Sequence, residues 1–301
     1  MRIRATKVLH LVNEWLVVYE VNSNSTGDLV RLTLRRLTEF CTNAVQRHPI
    51  SWKLAWEAVH RLPFLLPHDK SYRALRHFIT IKPEGLFLDV GANDGISALS
   101  FRKFSKSYRI LSLEPNPLLE PALRRLKSSD QNFDYKIIGA GSAQARARLF
   151  VPVYKNIVLH TFSSGDRNHI LDAITGSFGA TVAQDVEIEA FNCDIIPIDA
   201  LKLNPTIVKI DAEGFDYAVL QGLADTITRA RPFIVIEIGA EEYQKIVEYL
   251  RVNRYALLSY DLASDTFRAA PPYFDETAHR TSGHRNFFGI PQEFLGLIPV
   301  R

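Results

Sequence analysis

Cysteine is scarce in this sequence: Cys41 and Cys193 are its only two, far apart in 301 residues. A disulfide framework or a zinc site needs more of them at closer spacing, so both are excluded and a reducing, cytoplasmic setting fits best. Charge of one sign is equally scarce. The formal net charge is +3, from 36 basic and 33 acidic residues mixed along the chain. No basic stripe for nucleic acid results. Long apolar runs are missing too. Arg2, Arg4 and Lys7 precede an apolar stretch at the N-terminus, but Asn13 and Glu14 interrupt it and no small-residue cleavage site follows. A spanning helix needs roughly 20 predominantly apolar residues, so no integral membrane segment is expected. No internal repeat or low-complexity tract stands out.

What is present is an ordinary globular composition, 47% hydrophobic and 23% charged. The first 80 residues read as helices. Val8, Leu11, Val12, Trp15, Leu16 and Tyr19 recur at helical spacing and predict an amphipathic helix that packs on protein. Ser25–Asp28 offers a cap for a second, with Val30, Leu34, Leu37 and Cys41 on one face. Ser51 caps a third, ended by Pro63 and Pro67, and Ser71 a fourth with Tyr72, Leu75 and Phe78 on its apolar side. Residues 1–80 are thus predicted to form a helical extension, a surface through which copies of the chain could assemble.

From Leu86 onward, short apolar runs alternate with helical patterns. The runs are Leu86–Val90, Ile110–Leu113, Tyr135–Ile138, Ile207–Ile210 and Phe233–Ile238. Between them lie helical stretches such as Leu118–Leu126 and Phe215–Leu223. Strands alternating with helices imply right-handed crossovers and a parallel sheet covered on both faces. The prediction is an α/β, Rossmann-like, doubly wound domain over residues 81–301. Residues 142–203 are less regular, with extra strands at Leu149–Val153 and Val186–Phe191, and read as an insertion near the site.

A doubly wound sheet binds its ligand at the carboxyl ends of the strands. There, Leu86–Val90 runs into Gly91-Ala92-Asn93-Asp94-Gly95 and then a helix. Glycines let backbone approach a ligand, and a helix N-terminus offers free N–H groups. The second strand ends in Glu114, the place for an acid that accepts both ribose hydroxyls. The turn lacks G-x-G-x-x-G, and Asp89 and Asp94 add negative charge that disfavours a pyrophosphate. The same acids suit an ammonium and a sulfonium, which selects S-adenosylmethionine over a dinucleotide.

Three motifs, Phe87–Gly95, Leu113-Glu114-Pro115-Asn116 and Val208–Gly214, together resemble the FkbM-type methyltransferases. The likeness covers roughly residues 80–290. It implies a class I methyltransferase fold of seven strands with the last antiparallel, and O-methylation of a sugar, glycan or polyketide-like hydroxyl. It also implies that Asp89, Gly91, Asn93 and Gly95 form the cofactor turn and that Glu114, with Asn116 beside it, meets the ribose. Gly139-Ala140-Gly141-Ser142 is similar to the family's adenine-side segment, although Ala143 stands where an acid is common.

Removing a hydroxyl proton needs a base or a metal. At strand period, Lys209, Asp211 and Glu213 share one face, and Glu237 ends the neighbouring run. Either Asp211 or Glu213 acts as base, or these two and Glu237 hold a divalent cation such as magnesium or calcium, or all three belong to a buried ion-pair network. His160, His279 and His284 fall in loops within reach of such a site, and Asn286 precedes the expected last strand. Two other classes compete: a nucleotide-binding oxidoreductase of similar fold, and a non-catalytic scaffold that has kept the fold.

Overall fold

The computed structural model describes residues 48–51, 53, 67–274 and 286–301. The first two predicted helices, most of the third, His279 and His284 lie outside the described residues. The chain divides into two compact units. One contains Leu66–Ala147 and Asn192–Arg301, the other Arg148–Phe191 together with residues near the N-terminus.

In chain order the elements are α1 (Leu75–Ile81), β1 (Leu86–Val90), α2 (Ile96–Phe101), β2 (Arg109–Leu113), α3 (Glu120–Ser129), β3 (Phe133–Lys136), β4 (Gly139–Ala140), β5 (Ala145–Tyr154) and β6 (Ile157–Val158). Then come α4 (Arg167–Phe178), α5 (Ala180–Gln184), β7 (Val186–Ile196), β8 (Ile207–Ile210), α6 (Asp216–Gln221), α7 (Ala224–Ala230) and β9 (Phe233–Glu237). The last are α8 (Tyr243–Val252), β10 (Tyr255–Asp261), β11 (Thr266–Ala269) and β12 (Asn286–Pro291).

The first unit is built on a sheet of order β11-β10-β12-β9-β8-β1-β2-β3. Strands β3, β2, β1, β8 and β9 are mutually parallel, while β12 runs antiparallel to β9 and to β10. This mixed sheet has eight strands rather than the expected seven. The additional one is β11, the return arm of a hairpin with β10; Thr266 and Arg268 leave Thr266–Ala269 without a continuous apolar run.

Both faces of the sheet are covered, and the strand sequences show why. Phe87, Ile207, Phe233 and Val235 lie in one core with Leu75 and Phe78 of α1, Ala98 and Phe101 of α2, and Leu123 of α3. Leu88, Val90, Val208, Ile210, Ile234 and Ile236 lie in another with Val219, Ile227, Tyr243, Ile246 and Leu250 from α6, α7 and α8. Side chains alternate across a strand, so unbroken apolar runs feed two cores at once. Strand order reverses beside β1, where β2 lies on one side and β8 on the other. A crevice at such a switch point is where open α/β sheets bind ligands.

The fourth predicted helix starts later than expected. Lys70–Ala74 is a 3-10 turn, and its cap is Asp69, whose carboxylate accepts from Ser71 N at 2.7 Å. The predicted inward residues Tyr72, Leu75 and Phe78 are buried.

The second unit has its own core of Tyr154, Leu159, Phe162, Ile170, Ile174 and Phe178. Its strand β5 pairs with β6 through Val153 and Val158. His160 belongs to this unit, in a 3-10 turn at His160–Phe162. No helix among the described residues is long and apolar enough to cross a membrane.

Candidate active site

The turn after β1 is shaped by close backbone packing. Gly91 has φ +72°, and a Cβ there would lie 1.9 Å from the Asp211 carbonyl oxygen. Only glycine permits the ends of β1 and β8 to meet so closely. Gly91 N and Ala92 N donate to Leu113 O, which fixes the turn to β2. Asn93 also has positive φ, 56°, and its side-chain oxygen accepts from Asp94 N at 2.8 Å. Gly95, at φ +92°, begins α2, and a side chain there would collide with Leu126.

Glu114 follows β2 and is buried. Its Oε2 accepts from Asn93 N at 2.8 Å and its Oε1 from Asn116 N at 2.9 Å. Each oxygen therefore has a fixed direction and a remaining lone pair. Burial pushes its pKa up to about 7, against these backbone bonds and the Lys209 charge, which pull it down. Asn116 is also buried, its side-chain oxygen capping Leu118 N at 3.0 Å, and its Nδ2 has no hydrogen-bond partner among the described residues. Ser142 is exposed in the turn between β4 and β5.

Asp89 lies beneath the turn rather than on its surface, 0% exposed. Its Oδ2 accepts from Ser97 Oγ at 2.6 Å and Ser112 Oγ at 3.0 Å. Its Oδ1 is 3.6 Å from Lys209 Nζ. Lys209 is also 3.5 Å from Asp211 Oδ2, and donates to Gly91 O at 2.8 Å. One ammonium thus ties the strand ends of β1 and β8 together. Asp211 is partly exposed beside it.

The strand-period argument holds through Asp211 and fails at Glu213. Strand β8 ends at Ile210, and Glu213 sits in a turn at φ 49°, exposed to solvent. The residue that shapes this turn is Asp216, which sequence reasoning missed. Its Oδ1 accepts from Ala212 N at 2.7 Å and its Oδ2 from Gly214 N at 3.3 Å. Asp216 is buried, and desolvation raises its pKa to about 7. Phe215 between them is 61% exposed.

Glu237 ends β9 and pairs in register with Asn286, which is the first residue of β12 rather than a residue preceding it. Asn286 Nδ2 donates to Asp69 Oδ2 at 2.8 Å and Ser71 Oγ at 3.0 Å. Among the described residues, no three His, Cys, Asp or Glu side chains are grouped to hold a metal ion.

Comparison with known proteins places this arrangement among the methyltransferases, since the chain matches the family described as Methyltransferase FkbM domain over residues 89–257. That span is more than half of the sequence, and the chain belongs to the FkbM methyltransferase family. Its fold is similar to a crystal structure of methyltransferase FkbM from Methylobacillus flagellatus, at 16% identity and a TM-score of 0.41, covering 85% of this chain and 59% of that one. The chain therefore spans less than two thirds of that protein. A precorrin-6y C5,15-methyltransferase from Geobacter metallireducens is similar at 13% identity and a TM-score of 0.37, covering 73% and 85%. No curated protein matched.

Proposed function

We propose that this chain is an S-adenosylmethionine-dependent O-methyltransferase of the cytoplasm, acting on a hydroxyl of a sugar, glycan or polyketide-like acceptor. The observation that carries the cofactor reading is Glu114. Two backbone N–H groups hold its carboxylate still while leaving a lone pair on each oxygen, the requirement for a vicinal diol. The unpartnered Nδ2 of Asn116 is a buried donor close by, and such a group is costly unless a ligand satisfies it. The acids around the switch point favour a cationic ligand over a pyrophosphate.

When bound, S-adenosylmethionine supplies an electrophilic methyl group on a sulfonium. In this reading Gly91, Asn93 and Gly95 shape the turn that receives it, and Asp89 braces that turn from below. Glu114, Asn116 and Ser142 make the nucleoside contacts. Asp211, partly exposed and oriented by Lys209, takes the acceptor's proton. Glu213 and Glu237 lie on the acceptor side, where the exposed ring of Phe215 offers a flat apolar surface.

Titration calorimetry tests the cofactor half. The wild type should bind S-adenosylmethionine and give no heat with NAD. Glu114→Ala should weaken that binding by roughly 1–3 kcal/mol, because hydrogen-bonded groups lose their partner. Equal affinity in the variant would remove Glu114 from the site. For the chemical step, Asp211→Asn should lower turnover about a hundredfold with cofactor affinity retained. Normal turnover would show that another group takes the proton.

A further inference from the structure

The sequence places a strand at Val186–Phe191, but β7 runs on to Ile196. Its last residues, from Asn192, belong to the sheet-bearing unit. There Gly139 and Ala140 of β4 pair in parallel with Ile195 and Ile196, and Gly141 N donates to Ile196 O at 3.0 Å. This pairing lays Ile195 over the segment Gly139-Ala140-Gly141. A Cβ on Gly139 would lie 2.4 Å from Ile195 Cδ1, and one on Gly141 would lie 2.8 Å from Ile195 Cγ2. Two glycines therefore make room for one isoleucine. Both are buried, so on that face a ligand would meet the Ile195 side chain rather than bare backbone.

Ile195 also reaches toward the ribose acid. The position of a Cβ on Gly139 is 3.6 Å from Pro115 Cβ as well, and Pro115 stands between Glu114 and Asn116. Ile195 and Pro115 are both half-buried. Among the described residues, Ile195 belongs to none of the three apolar cores. Cys193, two residues back, shares its face of β7. Burial raises the Cys193 thiol's pKa, and the charges of Asp194 and Glu114 act in the same direction. This end of the strand therefore lies within the field of Glu114. Beside Pro115 is the buried Nδ2 of Asn116, without a hydrogen-bond partner among the described residues.

An apolar wall, a buried amide donor and a steadied carboxylate match the three parts of a purine nucleoside. Its ring has an apolar face, its ring nitrogens accept, and its ribose hydroxyls donate. We infer that Ile195 is a further cofactor-binding residue, the wall against which the adenine ring of S-adenosylmethionine lies. This rests on the cofactor reading above. It brings β7 into the ligand site, outside the three motifs that suggested the cofactor.

Photolabelling of the wild-type chain with 8-azido-S-adenosylmethionine tests the placement directly. Trypsin releases β7 in the peptide 168–202, and fragmentation should put the label on Cys193–Ile196. Excess S-adenosylmethionine should suppress it. Label confined to other residues overturns the proposal. Calorimetry tests the contact. Ile195→Ala should bind S-adenosylmethionine and 5′-methylthioadenosine about tenfold more weakly, since both lose the same apolar contact. Ile195→Met, which nearly conserves volume, should stay within about threefold of the wild type. Unchanged affinity in Ile195→Ala overturns the proposal too. Should that variant fail to fold, the labelling decides alone. A wild type that binds neither ligand fails the cofactor reading itself, and this inference with it.

Discussion

Lys209→Met is expected to cost the sheet-bearing unit about 3–5 kcal/mol, the usual loss when one partner of a buried ion pair is removed. Methionine keeps the length and apolar stem of lysine, so packing is nearly conserved. What goes is the ammonium 3.6 Å from Asp89 and 3.5 Å from Asp211. Asp89 has no exposed surface and, among the described residues, then keeps the hydroxyls of Ser97 and Ser112 as its hydrogen-bond partners. Gly91 O also loses a donor at 2.8 Å, so the turn itself loosens. Urea unfolding followed by circular dichroism measures the loss. Adding Asp89→Asn should recover part of it, because the stranded charge disappears; strict additivity would deny the coupling. A loss below about 1 kcal/mol, typical of an exposed pair, would show that Lys209 is not the tie between β1 and β8.

That tie was partly legible in the sequence. Period-2 alternation put Lys209 and Asp211 on one face and allowed Lys209 to meet a carboxylate. The same alternation, applied to Phe87-Leu88-Asp89, also determines the position of Asp89. Sharing a face with Phe87 means being covered by α1 and α2, not lining a crevice. Strands β1, β2, β8 and β9 were visible because each feeds two cores. The remaining parallel strand was expected at Tyr135–Ile138, whereas β3 is Phe133–Lys136, an edge strand in which Asp134 and Lys136 alternate with the apolar residues. Strand β11 was not visible, because an edge strand has one partner and tolerates Thr266 and Arg268. Glu114 announced itself by its place after β2. The two N–H groups that steady it come from Asn93 and Asn116, and only the fold reveals them.

Asp216 was hidden for a different reason. An aspartate in the first turn of a helix is ordinary, as it answers the free N–H groups there. Nothing in Asp211–Asp216 says that this one turns back to Ala212 and Gly214 and is buried in doing so. Glu213 misled because alternation was carried past the strand's end. A residue at φ 49° has left the pleat, and its direction no longer follows from strand period.

Two of the buried carboxylates, Asp216 and Glu114, give the second large expectation: the ligand-free chain should be more stable at pH 5 than at pH 8. Desolvation raises Asp216 from 3.8 and Glu114 from 4.5, each to about 7. Between those limits the folded chain keeps protons that the unfolded chain has released, so stability falls as pH rises. Each pKa unit is worth about 1.4 kcal/mol. Over the two units from pH 5 to 7 the pair should therefore cost of order 5 kcal/mol, with little further change above pH 7. Asp265 does not blur this window. Arg76 and its other neighbours hold its carboxyl far below the usual range, so its contribution is lost only in strong acid. Unfolding by urea at a series of pH values gives the profile directly, and Asp216→Asn should flatten roughly half of it. A profile rising from pH 5 to 8 would mean that neither carboxylate is desolvated as the fold implies. Ligand affinity should run the opposite way. Hydroxyl donors to Glu114 favour its ionised form, so S-adenosylmethionine should bind more tightly at pH 8 than at pH 5.5 and restore stability where the free chain has lost it.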